Sequence, residues 1–222
     1  TAMQAVKVYN LREVDELIFL DITATIDGRQ PDYDLIDDIA DECFMPLTVG
    51  GGVRSVDDVG RLLMVGADKV SINTAVTELP DLVAGSAAQF GSQCIVVSID
   101  ARREDDGGHQ VYTHSGTVAT GHDPVSVARD AQAAGAGEVL LTSIDRDGTM
   151  EGYDIELVRS VSEAVSIPVI ASGGGGNYQH LADALGEGGA SAVAAASVFH
   201  FTEQTPAEAK AFLSDCGFPV RH

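Results

Sequence analysis

PLTVGGGVRS, residues 46–55, and its later counterpart IPVIASGGGGN, residues 167–177, are each a short apolar run that breaks into consecutive glycines. The likeness extends beyond them. The glycines at 50–52 stand 123 residues before those at 173–175, and Asn73 and Thr74 stand 123 before Ala196 and Ser197. In nearly the same frame DELIFLD (15–21) aligns with GEVLLTSID (137–145), Glu16 falling 122 residues before Glu138. A head-to-tail repeat of a four-strand unit predicts an α/β fold closed into a (β/α)8 TIM barrel, because an open doubly wound sheet gives its second half no reason to echo its first.

Outward from these stretches the same alternation fills the chain. Apolar runs rich in Val, Ile and Leu occupy 16–21, 45–50, 69–72, 93–100, 138–145, 167–173 and 191–197, with helix-period segments between them, for example at 31–43, 55–66 and 124–135. Runs apolar on both faces that alternate with helices imply a parallel sheet covered by helices. Ser55, followed by Asp57 and Asp58, reads as a helix N-cap with acids in the first turn. One barrel domain over 1–222 is expected, its half-barrels at about 1–90 and 91–222.

The repeat leaves one strand unaccounted for. A twin of the run at 93–100 would fall before residue 1, so only seven strands are expected, and TAMQAVKVYN (1–10), aligned with DPVSVARDAQ (123–132), should be a helix. A barrel truncated in this way has two parallel edges without neighbours, which a partner chain, a second copy or an exchanged segment would cover.

Composition narrows the partners. No apolar run approaches the roughly 18 residues of a membrane span, and the opening lacks the basic start and cleavage site of a signal peptide, so a cytoplasmic protein is expected. A net charge of -21 and a pI of 4.3 repel nucleic acid and anionic membranes alike. Asp outnumbers Glu by 22 to 12 and Lys appears three times, a balance suited to a salty habitat or to lineage drift. Cys43, Cys94 and Cys216 stand far apart beside apolar residues and lack the spacing of a zinc or redox motif, so buried free thiols are expected.

In a barrel of this kind reactive groups gather at the carboxyl ends of the strands. The ends of the runs supply Asp21, Gly51, Gly52, Asn73, Thr74, Asp100, Thr142, Asp145, Asp147, Ser172, Gly173, Gly174, Ala196 and Ser197. Glycine-rich ends let backbone N–H groups approach an anion, and helix N-termini add a favourable dipole. Gly51 and Gly52 with Asn73 and Thr74 make one such corner; Gly173 and Gly174 with Ala196 and Ser197 make another. Two corners suit a ligand with a phosphate at each end, and an acidic protein can hold it because backbone amides do the binding. Between them Asp100 and Asp147, with Asp21 nearby, are candidate general acid–base groups, their pKa values raised by burial and by one another. Asp145 reads as structural, since strand alternation turns it and Arg146 in different directions. REDDGGHQVYTHSG (103–116) reads as a hairpin-like insertion, a lid, and His109, His114 and His122 around it are not spaced as metal ligands. His200 reads as a packed or rim residue.

FLDITA (19–24), PLTVGGGVRS, GADKVSINTA (66–75), FGSQCIVVSIDARR (90–103), GAGEVLLTSIDRDGT (135–149), GYD (152–154), PVIASGG (168–174) and AASVFHF (195–201) closely resemble the cyclase subunits of imidazole glycerol phosphate synthase, across essentially the whole chain. The resemblance implies an eight-stranded barrel that takes ammonia from a glutaminase partner and acts on a bisphosphorylated ribulosyl substrate, releasing imidazole glycerol phosphate and an aminoimidazole carboxamide ribotide. It implies no cofactor and no metal. It makes Asp100 one of two proton-transfer aspartates and Asp147 a further active-site carboxylate, with phosphates at Gly52, Asn73 and Thr74 and at Gly173, Gly174, Ala196 and Ser197. Glu16, Lys69 and Glu138 match three members of a charged ring that admits ammonia, and Asp68 matches a residue near the glutaminase. Charged residues at the amino ends of strands also often do no more than pair with each other.

The other proton-transfer aspartate and the fourth gate residue, an arginine, belong in that family to the first strand, which this sequence lacks. The chain alone is therefore expected to turn over little or not at all while still binding phosphate. AVKVYNLREVDELIFLD (5–21), ADECFMPL (40–47), VYTHSG (111–116) and the Asp123–Pro124 pair look like paralogous subunits that deliver ammonia to nucleotide-linked sugars for surface glycans. The ending SVFHFTEQTPAEAKAFLSDCGFPVR (197–221) looks more like the histidine enzyme. A phosphate-binding fragment that self-assembles, and a sugar-phosphate isomerase with the same half-barrel repeat, are the remaining alternatives; SIDRDGT and the gate residues fit the cyclase better than the isomerase.

Overall fold

Six residues stand where a helix must begin and turn a side-chain oxygen onto a backbone N–H two or three residues on: Asp32, Ser55, Asp123, Asp154, Asn177 and Thr205. Each satisfies a donor that the first helical turn cannot. The computed structural model describes residues 2–79 and 81–221, so Thr1, at the head of TAMQAVKVYN, and His222 lie outside the described residues. Its helices are α1 (Ala2–Leu11), α2 (Tyr33–Glu42), α3 (Val56–Met64), α4 (Thr74–Glu78), α5 (Asp81–Phe90), α6 (Pro124–Ala133), α7 (Ile155–Ser162), α8 (Tyr178–Gly186), α9 (Ser197–Phe201) and α10 (Pro206–Asp215). None is long and apolar enough to cross a membrane.

The strands are β1 (Leu17–Leu20), β2 (Leu47–Gly50), β3 (Lys69–Ile72), β4 (Ile95–Arg103), β5 (His109–Thr113), β6 (Val118–Ala119), β7 (Glu138–Ser143), β8 (Val169–Ser172) and β9 (Ala192–Val193). Parallel pairing runs β1-β2-β3-β4-β7-β8-β9, a curled sheet of seven strands that forms an incomplete (β/α)8 barrel. The strand number agrees with the repeat, but the strands are shorter than the apolar runs. The run at 191–197 yields only Ala192–Val193: Ala194 still donates to the Ala171 carbonyl at 2.8 Å, and then small residues turn the chain into α9. The glycine alignment also needs correction. β2 ends at Gly50 and β8 at Ser172, so Gly51 and Gly52 correspond to Gly173 and Gly174 at a spacing of 122; the offset becomes 123 by the next strands, Lys69 of β3 answering to Ala192 of β9.

Alternation along each strand divides the interior. Leu47, Val49, Val70, Ile72, Val97, Ile99, Val139, Leu141 and Val169 face outward and bury themselves against Ile36, Ile39, Val59, Leu62, Leu157 and Val161 of the surrounding helices. Burying one such side chain is worth about 1.5–3 kcal/mol, so this layer carries most of the fold's stability. The opposite face of the strands lines the lumen.

Among the described residues β1 pairs only with β2, and β9 only with β8. The helical layer is nonetheless continuous there. On one side of α1, Asn10 donates to the Glu42 carbonyl at 2.6 Å; on the other, Arg12 donates to the Phe199 carbonyl at 3.1 Å, and the Tyr9 hydroxyl bonds the exposed His200 ring. The expectation of buried thiols fails in part: Cys43 and Cys94 are half-buried, but Cys216, just past the end of α10, is exposed.

Candidate active site

Register alone places the inward side chains. Across the sheet Thr48 lies beside Lys69, Gly50 beside Ser71, Ser71 beside Val96, and Val96 beside Glu138. Ser98 lies beside Leu140, and Asp100, Thr142 and Ser172 form one row on β4, β7 and β8. Lys69 and Glu138 open their strands, while the Asp100 row stands toward the carboxyl ends. The lumen therefore runs from a charged ring to a carboxylate, through Thr48, Ser71, Val96, Ser98 and Leu140, all buried.

Asp100 accepts a hydrogen bond from Asn73 Nδ2 at 3.0 Å, and the same nitrogen reaches the Ser98 carbonyl at 3.2 Å. Burial pushes its carboxyl up to about 6; the Asn73 bond opposes the shift and the negative charge of Asp147 adds to it. The two aspartates thus share one electrostatic environment, although Asp147 itself is exposed on the loop after β7. Asp145 points elsewhere, accepting the Arg103 N–H at 2.8 Å. Asp21 turns back on its own loop. Burial would raise its carboxyl, but hydrogen bonds from the Thr23 amide and hydroxyl, the Arg29 guanidinium and the Ala24 amide leave it lowered.

The two glycine corners are built alike. A Cβ on Gly51 would stand 2.3 Å from the Asp21 carbonyl, and one on Gly173 would stand 2.6 Å from that of Ser143. In each half the loop after one strand therefore stacks directly on the loop after the next. Beside these corners begin α4 and α9, and neither Asn73 nor Ala196 closes its helix with a side-chain hydrogen bond. The six helices named above are closed, so these starts retain amides able to meet a ligand. Tyr153, which falls in the GYD stretch but had no role assigned from sequence, buttresses the second corner from beneath: its buried hydroxyl donates to the Ala194 carbonyl at 2.9 Å.

The insertion at 103–116 is a hairpin. β5 pairs antiparallel with the end of β4, β6 pairs with β5, and the tip crosses to the first half of the barrel. There the His114 N–H donates to the Thr74 hydroxyl at 3.1 Å and the Ser115 hydroxyl donates to the Ile22 carbonyl at 2.5 Å.

At the amino ends, Lys69 Nζ sits 2.9 Å from Glu16 and 2.7 Å from Glu138, and the second Glu138 oxygen is buried with no hydrogen-bond partner among the described residues. Asp68 receives the Leu47 N–H at 2.8 Å, tying β2 to the start of β3. Replacing Lys69 with Met should leave two carboxylates facing each other. The loss should be about 2 kcal/mol at pH 8, between the ranges for exposed and buried pairs. Burial would lower the Lys69 pKa, but its bonds to Glu138 and Glu16 leave it raised above the ordinary 10.5, so urea titrations should show the loss shrinking as the pH rises past that value. A loss unchanged with pH would mean that the lysine contributes packing only.

These observations define a class, a (β/α) barrel with an acidic centre at the carboxyl ends of its strands. The model of a protein family described as "Histidine biosynthesis protein" matches residues 1–205, and the chain belongs to that family of barrel enzymes.

Proposed function

We propose that the chain is the ammonia-using cyclase of an imidazole glycerol phosphate synthase. One observation carries the reading within the family: a single lumen joins the Glu16–Lys69–Glu138 ring to Asp100. A sugar-phosphate isomerase acting at the carboxyl ends has no use for a charged opening at the other end. The hydroxyls of Thr48, Ser71 and Ser98 offer hydrogen bonds to neutral ammonia, while Val96 and Leu140 limit water.

In this reading the two glycine corners hold the two phosphates, with the α4 and α9 amides as donors. Ammonia adds to the ribulosyl carbonyl between them, and the oxygen leaves as water, which requires a proton donor beside it. With a pKa near 6, Asp100 is about one-tenth protonated at pH 7 and able both to give and to take that proton. Thr142 and Ser172, in its row, would orient the substrate's hydroxyls, and the Asp147 charge would favour the cationic nitrogen of the intermediate. The glutaminase would dock on the amino-end face. There Leu11 and Met64, the last residues of α1 and α3, and Phe44, just after α2, are each more than four-fifths exposed, apolar side chains of the kind that an interface covers.

Calorimetry with the bisphosphorylated ribulosyl intermediate and its monophosphate analogue tests the site. The bisphosphate should bind at least tenfold more tightly. Loss of the intermediate's absorbance with ammonium salt should appear in the chain extended by an amino-terminal strand ending in aspartate, and little or none in the unextended chain. Equal affinity for both ligands, or no ammonium-dependent loss in either form, would overturn the reading.

A further inference from the structure

The loop that carries Asp147 runs from the end of β7 to the start of α7, and both of its feet rest on one residue of another element. At the first foot, Asp145 accepts the backbone N–H of Arg103 at 2.8 Å. At the second, the Arg103 guanidinium donates to both oxygens of Asp154, at 3.1 and 3.2 Å, and to Glu156 at 2.9 Å. Asp154 is buried, and it also caps α7 through the Leu157 N–H and meets His109 Nε2 at 3.0 Å. We propose that Arg103 is a positioning residue: gripping the loop at Asp145 and at Asp154, it fixes where the intervening Asp147 stands relative to Asp100.

Three features favour this over a generic surface ion pair. Arg103 is the last residue of β4, three beyond Asp100, so the strand that carries one carboxylate also locates the other. Asp154 is unusually well provided for. Burial alone would raise its carboxyl, yet the hydrogen bonds from His109 and the Leu157 amide and the charged Arg103 guanidinium hold it far below the ordinary range, so it stays ionised and its grip persists. Finally, the loop between the feet is pinned to the second glycine corner, Gly152 donating to the Gly174 carbonyl at 2.8 Å. Displacing either foot must therefore move Asp147 and that corner together. The other charges near the loop, Arg102 at 4.0 Å from Asp145 and Arg146 at 3.9 Å from Glu151, are long and exposed contacts.

The significance of the grip rests on the proposed role of Asp147, but its test needs no turnover. Carbon-detected NMR titration of the Asp100 carboxyl in the full chain reads the Asp147 charge directly. Asp147→Asn should lower the Asp100 midpoint from about 6, since that charge helps to raise it. Arg103→Gln leaves the backbone N–H in place but releases Asp154; it should lower the midpoint in the same direction by at least half as much. It should also speed exchange of the Gly152 N–H about tenfold. In the Asp147→Asn background Arg103→Gln should have no further effect on the midpoint, and Arg103→Lys should restore part of the shift. An unchanged Asp100 midpoint in a folded Arg103→Gln protein would overturn the proposal. If Arg103→Gln does not fold, Asp154→Asn, which keeps the helix cap, gives the same reading, and an unchanged midpoint there is equally fatal. Failure of ammonium-dependent turnover, by contrast, would remove the cyclase reading and leave the grip standing.

Discussion

Replacing Asp100 with Asn should make the protein more stable at pH 8 while removing its chemistry. Desolvation pushes this half-buried carboxyl up to about 6, above the ordinary 3.8, so the folded state holds a proton that the unfolded chain releases between these values. Stability tied to this group is complete below about pH 3.8, falls as the pH rises, and reaches its full penalty above about pH 6. At 1.36 kcal/mol per pH unit the gap sets a ceiling of about 3 kcal/mol. Asparagine carries no charge at any pH, and its carbonyl can still accept the Asn73 bond that Asp100 accepts at 3.0 Å. Urea titrations should therefore show the variant more stable by as much as about 3 kcal/mol at pH 8 and indistinguishable from the unmodified protein below pH 4. If Asp100 is the proton donor of the proposed cyclase, ammonium-dependent turnover of the strand-extended form should fall by roughly 100-fold or more. A difference independent of pH, or a less stable variant at pH 8, would show that Asp100 is not strained by burial.

What could be read in advance follows from what a repeat encodes. Doubling of the glycine stretches implied a barrel because it repeats a unit of topology, and strand alternation then placed Asp100, Thr142 and Ser172 in one row without further information. Asp145 and Asp147 were not separable in this way, since residues two apart share a face of a strand; both lie past the end of β7, and the turn in which the Asp147 N–H bonds the Ser143 carbonyl at 3.0 Å sends them apart. The one-residue slip in the glycine alignment was not visible, because three glycines meet glycines at a spacing of 123 and only two at 122; the strand ends at Gly50 and Ser172 overrule that better match. Nor was the grip of Arg103 on Asp154. The pair is separated by 51 residues, and no periodicity joins a strand end to a helix cap. The available hint was local: Asp154 stands directly before a helix-period run, as an N-cap does. That Asp21 would be claimed by Arg29 also lay beyond reach, since loop conformation depends on backbone turns that the sequence around Gly28 specifies only weakly.

Gly174→Ala should damage the second glycine corner more than any other single methyl added there with a left-handed backbone. Gly174 has φ +107, a conformation that costs an L-residue about 1–2 kcal/mol by itself. The new Cβ would also stand 2.2 Å from the Gly152 carbonyl oxygen and 3.0 Å from the Arg146 Cβ. The loop cannot step back cheaply, because Gly152 donates to the Gly174 carbonyl at 2.8 Å and Tyr153 is fastened to β9 through Ala194. Relief therefore requires breaking that hydrogen bond, and the combined cost should reach about 3–5 kcal/mol, the range of severe single substitutions. Gly28→Ala isolates the backbone contribution: at φ +67 its Cβ would meet nothing within 4 Å, so its loss should be only about 1 kcal/mol. Urea denaturation of the two variants measures the difference. Titration of the Gly174→Ala protein with the bisphosphate should show affinity reduced to that of a monophosphate, because the corner at Gly51 and Gly52 is untouched while the other is displaced. Equal losses in the two variants would mean that the loops are free to slide, and the stacked-corner geometry on which two-phosphate binding depends would have to be abandoned.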